Sequence, residues 1–110
     1  MSVPTSIDRI EFVGLIGNRL LTEVTTNEFM NALAKNGWGE AQNAHILMRL
    51  RERGPLWGIR TPNEFARALR YGITMPDRDR THRRVCCHGQ CWVIYRGDLC
   101  RFITIRHPTG

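Results

Sequence analysis

Lysine is almost absent from this chain. Of sixteen basic side chains only Lys35 is not an arginine, and the ten acidic residues leave a net charge of +6. Such a balance favours polyanions or an acidic binding protein, and the planar donor fork of arginine suits phosphate oxygens. A GC-rich coding sequence produces the same bias with no role behind it, so charge alone does not identify a partner. Any apolar run of ~18 residues is also missing, so no membrane-spanning helix is expected. The opening MSVPTSIDRIEF lacks the basic and apolar regions of a secretory signal. Low-complexity segments and internal repeats are absent as well.

Cysteine is scarce in a telling arrangement. Among the four, Cys86 and Cys87 are adjacent, and the spacings fit no small disulfide-stapled scaffold, so free thiols are expected. Cys86, Cys87, His88 and Cys91 lack a clean C-x-x-C pair with a second half, and strand alternation would turn neighbours to opposite faces. Buried thiols are therefore expected in place of a zinc site, and no cofactor is implied.

With 42% hydrophobic and 24% charged residues over 110 positions, the chain reads as one folded domain spanning 1–110. Its organising stretch is Ala44 to Gly54, AHILMRLRERG. At helical period Ile46, Leu47 and Leu50 share one side, while His45, Arg49, Glu52 and Arg53 recur on the other. The predicted helix runs from about Glu40 to Arg53 and stops at Gly54-Pro55. Capping boxes at Thr25-Thr-Asn-Glu28 and Thr61-Pro62-Asn-Glu64 open two more helices, closed by Gly37 and Gly72. Apolar positions from Ile7 to Leu21 fit a weaker N-terminal helix within 1–24.

After residue 74 the pattern changes. A charged connector, PDRDRTHRR, leads into VCCH, CWVIY and CRFITIR, short segments rich in β-branched and aromatic residues. The expected fold is α+β: helices over 25–74 packed on a curved antiparallel sheet over 82–107. A four-residue loop Arg96–Leu99 would pair Tyr95 with Cys100, Val93 with Phe102 and Cys91 with Thr104. Trp92, Ile94, Ile103 and Ile105 would then face the helices, leaving Tyr95, Thr104 and Arg106 together on the other side as the floor of a site.

A helix bearing His45 beside a sheet bearing Thr104 suits metal-independent RNA cleavage. That reaction needs a base for the 2′-hydroxyl proton, an acid for the leaving 5′-oxygen, and cations for charge on the phosphorus. His45 supplies proton transfer, Arg49, Arg53 or Arg106 binds the scissile phosphate, and Thr104 orients it. Each has an ordinary alternative: a surface histidine, arginines paired with Glu52 and Glu40, and a common strand threonine. Trp38 and Trp57 read as core anchors more readily than as base-stacking platforms.

On His45 in AHILMRLRERG, and Thr104 with Arg106 in FITIRHP, the chain resembles the compact ribonuclease toxins of the barnase/EndoU/colicin/RelE-like superfamily. Toxin domains of contact-dependent inhibition and other polymorphic toxins are of this kind. The likeness covers about residues 26–107 in order and pattern, and Arg106 stands where those toxins have a tyrosine. The resemblance implies an endoribonuclease acting on RNA, transfer RNA among the candidates, with a cognate immunity protein that the basic surface expects to be acidic. It further implies action in the bacterial cytoplasm after delivery in a larger secreted effector. Arg60, Arg83, Arg84, Tyr95 and His107 would add RNA contacts. Two other classes compete. One is a non-enzymatic nucleic-acid-binding module, although Gly54–Thr61 is long for a helix-turn-helix link. The other is a protein-interaction domain whose basic surface meets an acidic partner.

Overall fold

The computed structural model describes residues 4–108. Both capped helices form where their boxes predict. Thr25 Oγ1 accepts the Glu28 N–H at 3.1 Å and Glu28 Oε1 accepts the Thr25 N–H at 3.0 Å, opening α1, Thr26–Lys35, which buries Phe29 and Leu33. A 3-10 turn, Ala41–Asn43, runs into α2, Ala44–Arg53, whose Ile46, Leu47 and Leu50 are buried as the periodicity requires. Thr61 caps α3, Pro62–Tyr71, but the Glu64 carboxylate takes the N–H of Arg60 instead of that of Thr61.

The N-terminal segment departs from expectation. Ile7–Arg9 and Gly14–Asn18 form two short 3-10 turns joined by extended chain, and residues 1–3 of the expected helical segment lie outside the described ones. Gly14 adopts φ +80°, a left-handed conformation that interrupts any continuous helix. Ile7, Ile10, Phe12 and Leu21 are nevertheless buried, so the apolar pattern was packing information carried by a non-helical chain.

Four antiparallel strands follow in the order β1-β2-β3-β4: β1 Ile73–Pro76, β2 Arg83–Cys87, β3 Cys91–Arg96 and β4 Arg101–Arg106. β1 falls partly inside the stretch expected to be helical and partly in the charged connector. Its four residues are too few for a periodic signal. Gly72 admits it: a Cβ there would lie 2.3 Å from Val85 Cγ1. The result is an α+β fold with helices first and sheet last.

The expected hairpin register is corrected. Arg96 pairs with Arg101 and Tyr95 with Phe102, then a β-bulge intervenes, so that Ile94 pairs with Thr104, Val93 with Ile105 and Trp92 with Arg106. One extra residue on β4, Ile103, reverses the alternation between the bulge and the strand end. The inner face is therefore Val85, Cys87, Cys91, Val93, Tyr95, Phe102 and Ile105, packed in one core with Phe29, Trp38, Leu47 and Phe65. Trp92 and Ile94, expected to face the helices, lie on the outer side with Thr104 and Arg106. Tyr95, expected beside those two, lies in the core 6.1 Å from Trp38.

Candidate functional site

The outer sheet face is built around Trp92. Arg84 on β2 places its guanidinium carbon 4.0 Å from the indole centroid, and Arg106 on β4 lies 5.8 Å away. Stacking of this kind fixes planar cations on an aromatic ring. Asp77, just after β1, closes the group: its Oδ1 is 2.8 Å from Arg106 Nη2 and 3.8 Å from Arg84 Nη1. A second terminal nitrogen of Arg84 meets Met75 Sδ at 3.1 Å. The Nε atoms of Arg84 and Arg106 are buried without a partner, so a ligand would meet these arginines through their terminal nitrogens.

One carboxylate between two guanidinium groups leaves an excess positive charge beside Thr104, which shares this face two residues before Arg106. At the rim, Arg96 pairs with Asp98 at 2.7 Å and Arg101 with Glu40 at 3.5 Å. Hydrogen bonding to Arg96 holds the Asp98 carboxyl below its usual range. Fixed guanidinium groups next to a hydroxyl are suited to binding a phosphodiester.

Helix α2 lies along the free edge of β4. Asn43, fully buried, substitutes for a fifth strand: its Nδ2 donates to the carbonyls of Trp38 and Cys100 at 2.7 and 3.0 Å, and its Oδ1 accepts the Phe102 N–H at 2.7 Å. Arg53 Nη1 donates to the Ile105 carbonyl at 2.6 Å, so this arginine, a candidate for phosphate binding, is engaged in holding the strand. His45 is exposed on the first turn of α2, and exposed Arg49 lies 3.4 Å from Glu52. Among the described residues no hydrogen bond or ion pair joins His45 to Thr104 or Arg106.

The remaining candidates divide. Arg84 joins Thr104 and Arg106, whereas Arg83 and Tyr95 oppose each other on the inner side. Arg60 is exposed in the loop before α3, where its carbonyl accepts the Leu21 N–H, and His107 is exposed just past β4. Asn43 and Asp77 were missed: the first falls inside the helix expected from about Glu40, the second reads as one charge among many in PDRDRTHRR.

The cysteines are free. Cys87 and Cys91 face inward and Cys86 outward, and among the described residues no group of three His, Cys, Asp or Glu is placed to hold a metal. A hydrogen bond with Cys91, together with burial, pushes the Cys87 thiol up, as befits an inert core thiol. No helix among the described residues is long and apolar enough to cross a membrane. No protein-family model, curated protein or solved structure matches the chain.

Proposed function

We propose that this chain is a metal-independent endoribonuclease of the toxin type, holding RNA against the outer face of its sheet. The observation that carries the reading is the pair of arginines oriented on Trp92 beside Thr104, with more positive than negative charge. Arg84 and Arg106 bind the phosphodiester and Thr104 orients a non-bridging oxygen. An RNA strand crossing the free edge of β4 meets α2 and His45. There the imidazole accepts the 2′-hydroxyl proton as O2′ attacks phosphorus, the P–O5′ bond breaks as the 5′-oxygen takes a proton from water, and the imidazolium returns its proton to the resulting hydroxide. The products are a 2′,3′-cyclic phosphate and a 5′-hydroxyl end. Transfer RNA is a candidate substrate. An acidic immunity protein covering the basic face would protect the producer, and the bacterial cytoplasm reached by delivery within a larger effector is the site of action.

Mass spectrometry of RNA ends after incubation with purified protein in EDTA tests the reading. Cyclic phosphate ends are expected, and intact RNA or dependence on an added metal would overturn it. A second reading, a non-enzymatic RNA-binding module, is favoured by the lack of a bond between His45 and the arginine face. It predicts salt-dependent RNA binding with no new ends.

A further inference from the structure

The inner side of the sheet ends in an open cavity that the ribonuclease reading does not use. It measures about 430 Å³ and lies between the sheet and the segment from Pro4 to Asp8. Small-ligand sites occupy about 300–1,000 Å³. Trp38 donates its indole N–H to the Thr5 carbonyl at 2.6 Å and so holds that segment in place as one wall.

Two groups converge on this cavity. Tyr95 is only 5% exposed, yet its hydroxyl has no hydrogen-bond partner among the described residues and is not sealed from solvent. Its remaining exposure opens on the cavity. Arg83, directly opposite Tyr95 across β2 and β3, lines the same space and forms no ion pair among the described residues. Elsewhere on the sheet Arg84, Arg96, Arg101 and Arg106 all have carboxylate partners. Thr74 and Ser6 add hydroxyls, Ile7 adds an apolar wall, and Asp8 is the carboxylate at the rim.

We propose that this cavity binds the phosphate monoester of a nucleotide. Arg83 pairs with the phosphate, the Tyr95 hydroxyl donates to one of its oxygens, and the nucleoside lies along Ile7. A charged phosphate oxygen is the acceptor that matches an unpaired guanidinium and an unpaired phenol on one wall. The volume exceeds what inorganic phosphate would fill. Asp8 opposes the anion and weakens binding. The proposal stands apart from the ribonuclease reading, which uses the opposite face.

Titration of the full chain with 5′-AMP and with adenosine, followed by heteronuclear NMR, tests it. AMP should shift the Arg83 side-chain N–H and the Tyr95 ring signals, and adenosine should not. Arg83→Met should weaken AMP binding by about tenfold or more, as loss of a charged hydrogen bond does. Tyr95→Phe, which retains the packed ring, should weaken it severalfold, and Asp8→Asn should tighten it. A 5′-phosphorylated tetranucleotide that binds where its 5′-hydroxyl counterpart does not assigns the site to strand ends; binding of AMP alone assigns it to free nucleotide. Unmoved Arg83 and Tyr95 signals at millimolar AMP would overturn the proposal, as would equal binding of adenosine or unchanged affinity in Arg83→Met.

Discussion

Asp77 and Arg106 meet over the outer face of the sheet with 2.8 Å between carboxylate oxygen and guanidinium nitrogen, although one follows β1 and the other ends β4. Those strands are opposite edges of a four-stranded sheet, about 14 Å apart if it were flat. The contact therefore requires a curled sheet and a β1–β2 connector leaning inward, and the same contact holds both in that shape.

Asp77→Asn should accordingly lower stability by about 1–3 kcal/mol, because a carboxylate only 4% exposed now joins Arg84 and Arg106. The midpoint of urea unfolding measures this. A midpoint within error of wild type would show that the connector is held by other contacts.

Asn43→Leu should be at least as damaging, at about 3 kcal/mol or more. It leaves the Phe102 N–H and the carbonyls of Trp38 and Cys100 without their buried partner. Hydrogen exchange at the Phe102 amide should accelerate well beyond exchange in β3. Equal protection of the two strands would mean that the β4 edge does not depend on this side chain.

For the proposed cleavage, His45→Ala should reduce the rate by about 10²–10⁴ without loss of fold, the usual effect of removing a general acid or base. Thr104→Val keeps the shape and should also depress it. Their combination should fall short of additivity if both act on one phosphate. Wild-type cleavage by both single variants, folded by circular dichroism, would move the chemistry elsewhere.

Acid should weaken the first helix in a defined range. The Arg19 hydrogen bond and those of Thr25 lower the Glu28 carboxyl from 4.5 to about 2. A carboxyl whose folded value lies below its unfolded one contributes stability above the unfolded value and loses it as pH falls through the folded one. The melting temperature should therefore drop between pH 4.5 and 2, and Glu28→Gln should remove part of that slope. Identical slopes in the two proteins would show that Glu28 is not the group responsible.

The helices were legible because their ends are marked by side chains that act locally: Thr25 and Thr61 bond to residues three positions on, and Ile46, Leu47 and Leu50 keep helical period. β1 was not legible, since ITMP pairs only through contacts with a strand ten residues away in sequence. The site was half legible. Thr104 and Arg106 do share a face, but their neighbours there are Trp92, Ile94 and Arg84 instead of Tyr95. The bulge that decides this occurs at an isoleucine, a good strand former that gives no sign of irregular pairing.

That bulge also bears on how the chain can change in length. Without Ile103, Phe102 would be followed directly by Thr104, and regular alternation would still send Thr104 and Arg106 outward and Ile105 inward. With one further residue at the same point, pairing that is regular throughout would again send Thr104 and Arg106 outward and Ile105 inward, two positions further along β3. In evolutionary terms β4 carries one odd residue: it can shorten or lengthen by one and keep both surfaces as they are, at the cost of the bend and, on lengthening, of a two-residue shift against β3.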